Sequence, residues 1–143
     1  NVPAMSRSEY RLLIRKARAG KWDKRMLCGH PDVSKSLHPY IIEAWARGLI
    51  VTSTRDGVHA PTSFHPSGRA VDFGVRAGLV GSLLAHSRLV RFQRHLHARH
   101  GRFLSELFGP SNRANRKWGK AITLPEGSPL EQLHDDHVHV AIA

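Results

Sequence analysis

The chain has 143 residues, enough for one domain with a hydrophobic core of its own and no need of covalent staples. Lys and Arg number 22 against 11 Asp and Glu, a formal net charge of +11, which predicts attraction to a polyanion. One cysteine, Cys28, excludes an internal disulfide framework and a cysteine-rich zinc module, and no apolar run is long enough to span a membrane.

Taken in chain order, Ser6-Arg-Ser-Glu9 is a capping-box start that predicts a helix from Ser8 to about Ala19, ended by Gly20. Cys28-Gly29-His30 reads as a lone thiol rather than a ligand pair. Ser36 to Arg47 predicts a second helix with Ile41, Ile42, Ala44 and Trp45 inward, stopped by Gly48. Leu49 to Thr54 is β-rich and reads as a central strand. Arg69 to Val75 predicts a short strand. Arg88 to Arg102 reads as a basic amphipathic helix ending at Gly101, with Leu89, Val90, Phe92 and Leu96 near helical spacing. Arg102 to Phe108 is a candidate strand, broken by Gly109-Pro110. Ser111 to Lys120 reads as a basic loop anchored by Trp118, at the rim of a cleft. Pro129 to Leu133 predicts one helical turn before a last strand running into Val140-Ala-Ile142. Helices grouped with strands at non-alternating spacing indicate α+β, with helices packed on an antiparallel sheet. We read residues 1–143 as a single domain, with an N-terminal helical segment over 1–35 and a motif-bearing core over 36–143.

Two segments carry the chemistry. Ser63-Phe-His-Pro-Ser-Gly-Arg-Ala-Val-Asp72 contains His65 and Asp72, and His-Asp-Asp-His-Val-His139 ends on His139. Pro66-Ser67-Gly68 is turn chemistry, which folds the chain so that His65 and Asp72 face one ion. Alternation along the following strand puts Ala70 and Asp72 on one face, and Val71 and Phe73 on the other. A small Ala70 leaves room beside the ligand. Three protein ligands with an open fourth position are what a catalytic zinc requires, and a base must take the proton from its water. His65, Asp72 and His139 meet the first requirement, and Asp136 the second. His137 and His139 share a strand face, so Asp136 reaches the centre only through a bend at Asp135-Asp136.

The pattern Ser-x-His-x-x-Gly-x-Ala-x-Asp, with Asp-x-x-His overlapping His-x-His far downstream, resembles the zinc D-Ala-D-Ala carboxypeptidases, their Hedgehog-type relatives and phage endolysin peptidases. The similarity spans roughly residues 36–143. It implies a small antiparallel sheet carrying the zinc site, with one zinc ion per chain on His65, Asp72 and His139. It further implies Asp136 as general base and His137 as a helper for the polarised carbonyl oxygen. The family usually has an arginine at the end of a strand in a Ser-Gly-Tyr-Arg-like segment. Val51-Thr-Ser-Thr-Arg55 matches it loosely, which makes Arg55 the candidate for binding the substrate carbonyl or the developing oxyanion. Ser63 is the candidate for orienting substrate or a supporting hydrogen bond. The closing run from Glu126 is also similar to peptidase domains of phages that infect actinobacteria.

The resemblance implies hydrolysis of a peptide bond in peptidoglycan stem peptides or cross-links, of the DD-carboxypeptidase, endopeptidase or L-Ala-D-Glu type, in a lytic or wall-remodelling domain. The partner implied is the cell wall, with anionic wall polymers meeting the basic surface and the protein acting as a monomer. Action at the wall requires secretion or delivery by a phage; no signal-peptide start is visible, and the start at Asn1 suggests an excised domain or processed product. The alternative is a non-catalytic zinc-containing wall-binding module. Specific nucleic-acid binding is suggested by charge alone, without interleaved aromatics, a glycine-rich RNA motif or zinc-finger spacing.

Overall fold

The structure, a computed structural model, describes residues 33–55, 60 and 62–143, together with Arg15, an exposed helical residue. Arg15 apart, the capping-box helix lies outside the described residues, as does Cys28-Gly29-His30. The described chain runs α1 (His38–Ala46), β1 (Ile50–Ser53), β2 (Ala70–Gly74), α2 (Leu83–Arg99), β3 (Glu106–Phe108), β4 (Asn115–Lys117), β5 (Lys120–Ile122), α3 (Pro129–Leu133) and β6 (Val138–Ala141). The fold is α+β, with six antiparallel strands in the order β1-β2-β6-β3-β4-β5. Among the described residues no helix is long and apolar enough to cross a membrane.

Alternation along the strands separates the two faces of the sheet. Val71, Phe73 and Val75 of β2 and its extension share one core with Leu107 of β3 and with Val138, Val140 and Ile142 of β6 and its extension. Ile41, Ile42 and Trp45 from α1, and Leu89, Phe92 and Leu96 from α2, close over that face. The alternate residues, Asp72, Glu106, Phe108, His137 and His139, point the other way and line a cleft. Apolar packing thus fixes the strands from behind while leaving the polar face open.

Several elements differ from the sequence expectation, each for a physical reason. Among the described residues the strand over Ile50–Ser53 is an edge, not a central strand, because β1 pairs there with β2 alone. Helix α2 starts at Leu83 rather than Arg88, since the Ser82 hydroxyl accepts the Ala85 backbone N–H at 3.1 Å and caps it earlier. The strand expected over Arg102 to Phe108 is confined to Glu106–Phe108, because Gly101–Phe103 closes into a 3-10 turn. Ser111 to Lys120 is not all loop: it contains β4 and the start of β5, joined by a two-residue turn. Trp118 and Gly119 both have positive φ, 50° and 78°, as a type I′ hairpin turn demands. Gly119 has no alternative there, since a Cβ would run into the Arg102 carbonyl oxygen. Trp118 is 61% exposed and lines the cleft, as expected of its rim.

Candidate metal centre

The turn after Ser63 forms as its residues dictate. His65–Ser67 is a 3-10 turn, and Gly68 takes the left-handed conformation at φ 72° that favours glycine. The Ser63 hydroxyl accepts the His65 backbone N–H at 3.2 Å, so its observed role is to hold the turn, and it also lines the cleft. Asp72 on β2 stands directly opposite His139 on β6, and Phe108 on β3 is the partner of His139 on the other side. Because β6 lies between β2 and β3, residues 67 positions apart in the chain meet at hydrogen-bond distance.

The three side chains converge on one point. His65 Nε2 lies 3.2 Å from His139 Nδ1 and 3.3 Å from Asp72 Oδ1, and His139 Nδ1 lies 2.9 Å from the same carboxylate oxygen. The outward nitrogens are both engaged: His65 Nδ1 lies 2.6 Å from the Thr54 carbonyl, and His139 Nε2 lies 3.0 Å from Glu106 Oε1. Both contacts require an N–H on the outward nitrogen, which leaves each neutral ring with its lone pair aimed at Asp72. Two lone pairs and a carboxylate oxygen at such separations repel unless a cation stands among them. Either a proton on His139 or a metal ion meets that need, and the donor set of two imidazoles and one carboxylate fits a metal of the zinc type. Held acceptors behind both rings are what metal-ligating histidines generally have.

Electrostatics follow from this packing. Burial works against a charge on His139, but hydrogen bonds to Asp72 and Glu106 outweigh it and push its pKa up to about 9. Asp72 and Glu106 are held below their ordinary ranges: burial opposes this, and the hydrogen bonds from His139 to both, with one from Lys117 to Glu106, override it. Metal binding must therefore displace a proton from His139. Metal affinity measured by chelator competition should rise roughly tenfold per pH unit up to about pH 9 and level off above it. The metal-free protein should behave in the opposite sense. A folded-state pKa raised from 6.5 to about 9 contributes stability that is full below 6.5 and is lost as pH rises through about 9.

The remaining expected residues are placed as follows. His137 lines the cleft with Nε2 3.9 Å from Asp72 Oδ1, while its Nδ1 lies 2.9 Å from Asp136 Oδ1. The bend at Asp135-Asp136 is present. It does not bring the Asp136 carboxylate into the cleft; that side chain is 76% exposed and turned onto His137. Arg55 is exposed at the end of β1 and does not line the cleft, although the carbonyl of its neighbour Thr54 holds His65. His95 and His97 of the basic helix stand apart from the triad, one near Glu43 and the other against Arg116.

Two residues given no role from the sequence belong to this site. Glu106 supports His139, and its signal was a lone charge in the apolar run Phe103-Leu-Ser-Glu-Leu-Phe108. His134 is buried in the cleft wall, its ring 4.9 Å from that of His137 and its Nδ1 2.7 Å from the Leu130 carbonyl. Burial brings its pKa down to about 4, so it is neutral at neutral pH. The cleft encloses about 570 Å³ and is polar at the triad, with Phe64, Phe108, Trp118, Leu130 and Leu133 supplying apolar lining. Trp118 meets Phe64 edge-to-face at 5.7 Å, presented there by a left-handed backbone that costs a non-glycine residue roughly 1–2 kcal/mol. No protein-family model, curated protein or solved structure matches the chain.

Proposed function

We propose that the protein is a zinc-dependent peptidase that hydrolyses peptide bonds in bacterial peptidoglycan, with His65, Asp72 and His139 as ligands. The observation that carries the reading is the convergence of three donor atoms, both imidazoles being held from behind by an acceptor. The Ser-x-His-x-x-Gly-x-Ala-x-Asp and His-x-His resemblance supplies the substrate class and the Hedgehog/DD-peptidase-like fold, and the open cleft beside the triad supplies room for a chain. When bound, zinc brings the pKa of water towards ~7 and polarises a carbonyl.

The residues around the triad do the rest. His137 takes the proton of the attacking water at Nε2 and returns it to the leaving amine. Asp136 accepts the Nδ1–H of His137 and so keeps that Nε2 lone pair turned to the centre. This reassigns the base from Asp136 to the Asp136–His137 pair, because the carboxylate itself stands outside the cleft. Arg55 receives no oxyanion role for the same reason. The apolar lining suits uncharged side chains beside the bond that is cut, and the exposed Arg91 and Arg94 of α2 suit an anionic wall.

Digestion of purified peptidoglycan by the zinc-loaded protein, with fragments identified by mass, tests the proposal. New amino and carboxyl termini at one stem-peptide or cross-bridge position, absent after chelation, are the expected result. The exposed placement of Arg55 and Asp136 is what favours the second reading, a non-catalytic zinc-containing wall-binding module. Sedimentation with walls without release of any fragment would decide for that module.

A further inference from the structure

We infer that Glu106 is a positioning residue of the metal centre, locking the His139 ring so that Nδ1 rather than Nε2 faces His65 and Asp72, with Lys117 holding the Glu106 carboxylate in place. The inference rests on the metal-binding reading of the triad. Glu106 and Phe108 are alternate residues of β3, so both reach the same face, where β3 runs beside β6. Phe108 lies parallel to the His139 ring, with centroids 5.7 Å apart and planes 15° apart, and this limits the tilt of the ring. Glu106 Oε1 takes the Nε2–H at 3.0 Å, which limits its rotation and selects the tautomer. The other oxygen, Oε2, is occupied by Lys117 Nζ at 2.7 Å, from the residue directly across the β3–β4 ladder. One carboxylate is thereby held by two cross-strand partners, one on each side of β3.

Chemistry gives the arrangement a purpose. A histidine ligating through Nδ1 brings its backbone close to the ion, so small rotations of the ring displace the donor atom from the other two. A buried carboxylate behind the ring suppresses those rotations and makes the ligating nitrogen more basic. Its own partner must then be fixed, and Lys117 supplies that from a hairpin strand which otherwise has no part in the triad.

The test uses the full chain with zinc as the probe. Zinc affinity by chelator competition and the His139 tautomer by ¹⁵N NMR of the imidazole are measured for the parent, Glu106→Gln, Glu106→Ala and Lys117→Met. We expect Glu106→Ala to bind zinc about 10- to 100-fold more weakly, with His139 nitrogen shifts no longer those of a fixed Nε2–H ring. Glu106→Gln keeps an acceptor in place and should recover most of the affinity and the parent tautomer. Lys117→Met, at a half-exposed site that does not threaten the fold, should show a smaller loss in the same direction. Parent affinity and parent tautomer in both Glu106→Ala and Lys117→Met would overturn the positioning role while leaving the metal centre intact. Should Glu106→Ala fail to fold, parent affinity and tautomer in Lys117→Met would by themselves overturn it. A parent chain that binds no zinc would overturn the metal-binding reading as well.

Discussion

A His65→Ala/His139→Ala chain is expected to carry no zinc, and the parent to carry one ion per chain. Asp72 alone is then left of the triad, and a single carboxylate does not hold zinc against water. Metal analysis after gel filtration reads the stoichiometry directly. Thermal unfolding gives an independent reading, because an ion that binds only the folded state stabilises it by mass action. At a hundredfold excess over Kd that amounts to about 2.7 kcal/mol, or a rise in Tm on the order of 5–10 °C for a chain of this size. Added zinc should raise the parent's Tm by that amount and leave the double variant's unchanged. Asp72→Ala should behave alike for a different reason. It removes the oxygen that both imidazole lone pairs face, so the two rings lose the anion that offsets the charge of a bound cation. Equal zinc content in parent and double variant would place the ion somewhere other than this triad.

The three candidate ligands were legible from local relations within each segment, and the resemblance joined the two segments across the 67 positions that separate Asp72 from His139. Gly68 marks the left-handed turn, the period of two along Ala70-Val-Asp-Phe fixes which way Asp72 points, and His137-Val-His139 repeats that alternation. What the sequence did not disclose depends on strand order. Glu106 becomes part of the centre only because β6 inserts between β2 and β3, a pairing between segments more than thirty residues apart. Among the described residues the same ordering makes β1 an edge, although Ile50 and Val51 look like a central strand from composition. The hairpin over Asn115–Ile122 was hidden by its turn. Type I′ turns are usually announced by Asn-Gly or Asp-Gly, and Trp118-Gly119 offers only the second half of that signal. Gln93 and Asn115 are fully buried and hydrogen-bonded to each other, with Gly109 and Ser111 drawn into the same network, so polar residues that read as surface anchor the segment. The placement of Asp136 depends on the contact it makes with its neighbour. A bend at Asp135-Asp136 was foreseen, but the neighbouring imidazole captured the carboxylate.

Replacing His137 is expected to separate turnover from metal binding. The ring lies beside the triad without belonging to it, its Nε2 3.9 Å from Asp72 Oδ1. His137→Ala should therefore retain one zinc per chain and lose about 10²–10⁴-fold in turnover on peptidoglycan fragments, the range for removing a general base. Asp136 acts one step further out. Its carboxylate is 76% exposed, so water screens its charge, and its contribution is mainly to keep the His137 ring turned. Asp136→Ala should cost less than His137→Ala, about 10- to 100-fold, and Asp136→Asn less again because an amide oxygen still accepts the Nδ1–H. Asp135 is exposed and lies outside the cleft, so Asp135→Asn should hydrolyse like the parent. The order of the losses carries the argument. If Asp136→Asn is as inactive as His137→Ala, the carboxylate reaches the reacting water itself, and the first assignment of the base is restored. If His137→Ala hydrolyses like the parent, the proton goes elsewhere in the cleft, and the pair proposed here has no catalytic part. His134 would then be the next group to replace, since its neutral ring already faces His137.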